Sequence, residues 1–396
     1  MISHIKVLKF GGTSVSDAGA FSRAAKIVRD NREAAVVVVV SAMNGVTDAL
    51  IKSLHGAISR KALDEHLERH LKAAEAFDAE GVTRCRAFVE ESRREIFSLL
   101  DSGARDLRTQ DAVAAYGETL SARLFTMILE HHFVPATYVD ARRCILTDDQ
   151  HGAANPVLHE LRQRTSLALN PVLDANRVAV LGGFMGVTAE GVTTTLGRGS
   201  SDYSATLIGA ALRAAEIQIW TDVDGVQTAD PAVVSATHTV PMISYDEAAQ
   251  LAALGARVMH AKMIEPVIAD QIPIAIRNSR APEQHGTLIC PASERSAGFI
   301  KAIAHQVNSR QAVIGCVGDG LSNGSQGAAE VRRRLREIEP TLKWESTARS
   351  NLVTTVARDR VSDIVRRVHA RFFEGAYCRA AAPASNSTSC EGDERP

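Results

Sequence analysis

The chain has 396 residues, 45% of them apolar, and sets 45 Lys and Arg against 46 Asp and Glu for a net charge of −1. That is enough apolar side chain for two or three domains, and the charge balance excludes the broad basic face that nucleic acid or an anionic membrane selects. No apolar run reaches membrane-spanning length, MISHIKVLKF lacks a signal-peptide core, and the cysteines are scattered without a C-x-x-C pair, so the expectation is a cytoplasmic protein with reduced thiols, no metal site and small-molecule partners.

Residues 5–10, IKVLKF, alternate as a strand and break at Gly11-Gly12-Thr13-Ser14; helical spacing follows through Phe21, Ala24, Ala25 and Val28. Lys9 stands at the strand end, where a parallel sheet opens its ligand crevice, either facing whatever the glycine turn cradles or solvated. AAVVVVVSAM at 34–43 has the length of a strand buried on both faces and ends at Ser41-Ala42-Met43-Asn44-Gly45, after which Thr47 or Asp48 caps a helix or meets a ligand. Residues 60–100, with Leu63, Leu67 and Leu71 four apart, form amphipathic helices, and His66 and His70 fall on a solvated helix face. In 111–130 the helical pattern is interrupted at Tyr116-Gly117-Glu118, placing Glu118 at a helix start, where it complements the dipole or binds an ammonium. VPATYVD is strand-like. Asp148, Asp149 and His151 together suggest a metal, although loop acids are ordinarily just solvated.

RVAVLGGFMGV at 177–187 is another buried strand ending in glycines. TTTLGRGSSDYSAT at 193–206 then leads hydroxyls and a Gly-Arg-Gly turn into a helix, which makes either an anion site or ordinary caps and turns. Arg198 offers a fork to a carboxylate or phosphate, and Asp202 can orient an ammonium, a metal-bound water or a neighbouring lysine. IQIWTDVDGV at 217–226 ends in Thr221-Asp222. Strands with such loops, separated by helices, make a three-layer αβα protein with its site beyond the strand C-termini. From 281 to 298 the pattern lapses into Pro, Gly and Ser, and beyond it strands FIKAIAHQ, AVIGCVG, LKWES and NLVTTVAR with two helices make a small α+β unit. The expected division is 1–290, 299–379 and a disordered polar tail at 380–396.

KFGGTSV from Lys9, VVSAMNGVTD from Val39, YGETLSA from Tyr116, GGFMG from Gly182, TTTLGRGSSDYSA from Thr193, WTDVDGV from Trp220 and GARVMH from Gly255 appear in one order. In that order the chain resembles the aspartokinases of the amino-acid kinase superfamily. The resemblance implies the amino-acid kinase fold followed by a ferredoxin-like ACT-type regulatory domain, a homodimer, and phosphorylation of the L-aspartate side-chain carboxylate by ATP with Mg2+, the first step toward lysine, threonine and methionine. By the same resemblance Lys9 and Asp202 are catalytic, Gly11 and Gly12 cradle phosphate, and Arg198 and Glu118 clamp the α-carboxylate and α-ammonium of the substrate. Ser41, Thr47, Thr195 and Ser201 line the aspartate pocket, while Thr221, Asp222, Gln227, Asp230 and Arg257 lie on the nucleotide side.

Departures from the family pattern cluster on that nucleotide side. Ser200 replaces a glycine, Gln227 a tyrosine, Ala232 an arginine and Arg257 a lysine, and His-Pro becomes His260-Ala261. Ser200 is expected either to sit strained at positive φ, holding the loop away from phosphate, or to adopt ordinary φ and use its hydroxyl as a donor or cap. Two alternatives accompany the kinase reading: a specialised paralogue activating another carboxylate, and a catalytically weak ligand-binding subunit. The roughly 100 residues after the boundary suffice for one ACT module rather than the family's two.

Overall fold

The computed structural model describes residues 4–374 apart from 76, 78, 257, 258, 260 and 292–299; Arg257, His260 and the expected tail from 380 lie outside the described residues. Strands β1 (Ile5–Phe10), β2 (Ala35–Val40), β3 (Ala136–Tyr138) and β4 (Val178–Gly182) are followed by a hairpin of β5 (Met185–Val187) and β6 (Thr193–Thr195). Then come β7 (Glu216–Thr221), β8 (Met242–Ser244), β9 (Ile274–Asn278) and β10 (Thr287–Cys290). All but the hairpin join one eight-stranded sheet in the order β3-β4-β2-β1-β7-β9-β10-β8, parallel except where β10 meets β9. The β-branched run of β2 suits its central place, buried on both faces.

One face of the sheet carries Leu8, Phe10, Val36, Val38 and Val40 into a core with α1 (Ala18–Asp30), α2 (Val46–Leu54), α3 (Arg60–Ala74), α4 (Ala79–Asp101) and α5 (Leu107–His131). The alternate residues of β1, Val7 and Lys9, face the other way. There α6 (Leu158–Asp174) and α7 (Ser201–Leu212) pack on each other and on β4 and β1, so the expected three layers are present. Two short helices, α8 (Tyr245–Ala253) and α9 (Glu265–Ile268), complete this part.

Two expectations are corrected here. Helix α5 runs unbroken through Gly117, and Glu118 is mid-helix rather than at a helix start. A Cβ at Gly117 would lie 2.8 Å from the Ala42 Cβ and 3.1 Å from Thr47 Oγ1, so this glycine is a point of close approach whose propensity cost of ~1 kcal/mol is offset by packing. His70 is fully buried, not solvated; its Nδ1 lies 3.0 Å from Leu67 O, and burial pushes its pKa down to about 4.

By its internal contacts the chain divides into two compact units, Met1–Gln227 with Thr239–Ser293, and Thr228–His238 with the residues from Glu294 onward. In the second, β11 (Ala302–Val307), β12 (Gln311–Val317) and β13 (Asn351–Ala357) form an antiparallel sheet in that order. Its core with α10 (Gln326–Ile338) and α11 (Val361–His369) contains Ile314, Cys316, Leu335, Leu352 and Ile364 together with Ala229 and Val234. Thr228 Oγ1 meets His369 Nε2 at 2.9 Å, and His369 Nδ1 meets Glu374 Oε1 at 2.8 Å, which holds the 228–238 segment in this unit. LKWES is not a strand: Trp344 turns inward and Glu345 alone bridges to Val353.

Candidate active site

Strands β2, β1 and β7 are parallel neighbours, so their carboxyl ends open on one edge. Gly11 N donates to Trp220 O and Ser41 N to Phe10 O, each at 3.0 Å, tying the three ends together. A Cβ on Gly12 would come within 2.8 Å of Ala42 O, so glycine lets the first two loops touch. Below this turn Lys9, 8% exposed, places Nζ 2.6 Å from Asp202 Oδ1 in the first turn of α7. Two residues the sequence separates widely thus form one charged pair beside a helix N-terminus.

The turn before α7 bends through Gly197 (φ 95°) and Gly199 (φ 73°), while Ser200 has an ordinary φ of −86°. Ser200 Oγ donates to Gly197 O at 2.6 Å. Of the two expectations for Ser200, strain at positive φ is therefore set aside, because the two preceding glycines carry the left-handed conformations.

A cleft of about 270 Å³ opens beside these loops, and Gly12, Ser41, Thr47, Glu118, Arg198 and Ser201 all line it, with Asp48 and Phe184. Arg198 extends into solvent with Nη2 3.4 Å from Asp48 Oδ1, an exposed pair that an incoming anion can replace at little cost. Glu118 differs: it is 4% exposed, and its Oε2 has no partner among the described residues. Burial pushes its carboxyl up to about 8, partly offset by the Ala42 N–H and by Lys9. A buried carboxyl with one oxygen left without a partner and a displaceable guanidinium on one cleft make a site for a molecule bearing both an ammonium and a carboxylate.

Thr195 does not line the cleft. Its strand turns the side chain toward α5, where Oγ1 donates to Asp111 Oδ1 at 2.5 Å. Thr221 ends β7, its carbonyl accepting from Ser279 N, and Asp222 follows it. Gln227 bonds Thr239 Oγ1 at 2.9 Å, and Asp230 falls in the second unit, accepting from Ala232 N. Asp148 accepts from Asn155 and Gln150 backbone groups, and no group of three or more His, Cys, Asp or Glu able to hold a metal occurs among the described residues. Phe184 was not singled out from the sequence. It has φ 68°, held by an N–H bond to Ser204 Oγ and a carbonyl bond from Leu196 N. The signal for it was the surrounding glycines: a Cβ on Gly183 would meet Ser201 Cβ at 2.7 Å, so this loop is pressed onto the start of α7.

The family model described as the amino acid kinase family matches residues 4–278. The chain is 36% identical over 316 residues to the lysine-sensitive aspartokinase 3 of Escherichia coli, covering 78% of this chain and 68% of that one. It is likewise 36% identical over 311 residues to the aspartokinase of Chlamydia trachomatis, covering 76% and 68%. Among solved structures it matches E. coli aspartokinase III in complex with aspartate and ADP with a TM-score of 0.82 at 26% identity, over 93% of this chain and all of that one. No helix among the described residues is long and apolar enough to cross a membrane. The sheet order, the Lys9–Asp202 pair at the helix N-terminus and these matches lead to one conclusion: the chain belongs to the amino acid kinase family and, within it, to the aspartokinases.

Proposed function

We propose that this chain is an aspartate kinase that moves the γ-phosphoryl group of ATP to the side-chain carboxylate of L-aspartate, giving 4-phospho-L-aspartate. The observation that carries this reading is the buried Glu118, its Oε2 without a partner among the described residues, lining the same cleft as Arg198. Arg198 takes the α-carboxylate in place of Asp48, Glu118 takes the α-ammonium, and Ser41, Thr47 and Ser201 complete the pocket. The β-carboxylate is already an anion, so it attacks phosphorus without a general base; its oxygen bonds to phosphorus as the bond to the β-phosphate oxygen breaks. The protein's task is then positioning and neutralising spread charge. Lys9, held by Asp202, supplies a fixed cation, and the Gly11 and Gly12 turn with the α7 N-terminus supplies oriented dipoles.

We assign Thr221, Asp222 and Gln227 to the nucleotide side; Asp230 and Arg257 remain sequence expectations. Mg2+ would arrive on the nucleotide, and Asp202, in the first turn of α7 beside Lys9, is the carboxylate that would help hold it. Such an ion keeps much of its shell as phosphate oxygens and water, and there it would neutralise phosphate charge. The second unit, an antiparallel sheet with two helices, we read as an ACT-type regulatory module, and a homodimer as the working assembly.

A coupled ADP-release assay across amino acids tests the reading. Aspartate is expected to exceed glutamate in kcat/KM by roughly 10–200-fold, the discrimination one methylene allows. Equal or better turnover of another carboxylate would replace it with the specialised-paralogue reading. Ser200→Gly is expected to leave the KM for ATP unchanged or raised, and to lower stability by about 1 kcal/mol through loss of the Gly197 bond and added chain freedom. A several-fold lower KM for ATP in that variant would show that the serine obstructs phosphate after all.

A further inference from the structure

Asp111 lies near the start of α5, 1% exposed, and no role in phosphoryl transfer falls to it. Three donors converge on its carboxylate. Oδ1 accepts from Thr195 Oγ1 at 2.5 Å, while Oδ2 meets His151 Nδ1 and Gly152 N, each at 2.9 Å. A carboxylate only accepts, so His151 carries its proton on Nδ1. Thr195 closes β6, and after Leu196 comes the Gly197-Arg198-Gly199 turn. The loop that holds His151 and Gly152 supports the same turn: Ala154 N donates to Thr195 O at 2.9 Å, and a Cβ on Gly197 would lie 3.7 Å from Gly152 O and 3.8 Å from Ala153 Cβ. One buried carboxylate therefore fastens to α5 both the strand leading into the Arg198 turn and the loop beneath it.

Glu118 stands on that same helix seven residues on, two turns away on the same face and about 10 Å along the axis. We propose that Asp111 is a positioning residue that fixes the Arg198 turn relative to Glu118, and so sets the spacing between the carboxylate and ammonium clamps on which amino-acid selection depends. This rests on the reading of Arg198 and Glu118 as those clamps. Thr195 belongs to the same device, which accounts for a threonine in the glycine-rich motif that never reaches the cleft.

The test uses the full chain with ATP and Mg2+ and compares Thr195→Val, which keeps the shape and removes the donor, with Thr195→Ser, which keeps the donor, and with Asp111→Asn. Thr195→Val and Asp111→Asn are expected to raise the KM for aspartate about ten-fold, the weight of one lost charge-assisted bond, while the KM for ATP moves less than about two-fold. Both should also narrow the preference for aspartate over glutamate, and Thr195→Ser should restore wild-type values. A purely structural role would instead lower the melting temperature and the active fraction, with the KM for aspartate unmoved; that outcome, or a failure of serine to restore, overturns the proposal. If Asp111→Asn fails to fold, the valine and serine pair decides alone. A wild-type enzyme that does not turn over aspartate would refute the kinase reading itself, a result distinct from any difference among these variants.

Discussion

Lys9→Met is expected to cut kcat by two to three orders of magnitude, the ~3–4 kcal/mol typical of losing one preorganised group aimed at developing charge, with the KM for aspartate little changed. In the sheet Lys9 is flanked by Val39 and Ile219, and with 8% of its surface exposed its ammonium has little water to lean on. It is held by Asp202 at 2.6 Å, so the cation is already in place before phosphate arrives and costs no reorganisation during the reaction. Methionine matches the stem and leaves Asp202 without its partner, a loss the α7 N-terminus softens but does not cancel. Lys9→Arg should be intermediate, since charge survives while the planar fork does not fit a site shaped for a compact ammonium. Circular dichroism and a melting curve separate loss of chemistry from loss of fold. A Met variant with near-normal kcat would reduce Lys9 to a strand-end lysine and move the phosphoryl group elsewhere.

What the sequence disclosed and what it hid follow from the range of each interaction. The strands β1, β2, β4 and β7 were legible because continuous apolar runs stop at glycine, serine or threonine loops, and in a parallel sheet those loops share an edge. The pairing of Lys9 with Asp202 was reachable through family resemblance, since composition and spacing say nothing about which distant charges meet. Gly117 misled because a glycine within a helical pattern reads as a break, whereas its cause is Ala42 and Thr47 on another element pressing against it. Thr195 misled for a related reason: a three-residue strand leaves its inward face undetermined until α5 and Asp111 are in view. His70 looked solvated beside charged neighbours, and only the packing of α4 against α3 closes it off. Segment 228–238 follows the kinase motifs in sequence, yet its anchoring partner is His369, near the far end of the chain. Ser200 shows the same limit at the smallest scale, because its dihedral depends on Gly197 and Gly199 ahead of it taking the left-handed turns.

The KM for aspartate is expected to fall as pH rises from about 6 to about 8, by up to ten-fold per unit, and then to level off. The cause is Glu118, whose carboxyl burial pushes up to about 8, so that near neutrality, before substrate binds, it is mostly protonated and cannot hold an ammonium as an ion pair. Binding aspartate must then expel a proton, which calorimetry in two buffers of different ionisation enthalpy reads directly. The same shift has a consequence for stability. With the folded pKa raised above the ordinary carboxyl value of 4.5, the folded state binds more protons than the unfolded state between about 4.5 and 8. Stability therefore falls with rising pH across that window, by an amount on the order of a few kcal/mol, and the penalty is complete above it. Glu118→Gln removes the penalty, so the variant should melt higher than the parent above pH 8, match it near pH 4.5, and lose aspartate turnover at every pH. That combination is the signature of a group kept for function at a cost to stability. A KM flat from pH 6 to 8 together with no proton release would mean that Glu118 does not receive the substrate ammonium, and the amino-acid clamp would have to be rebuilt around Asp48 and Arg198.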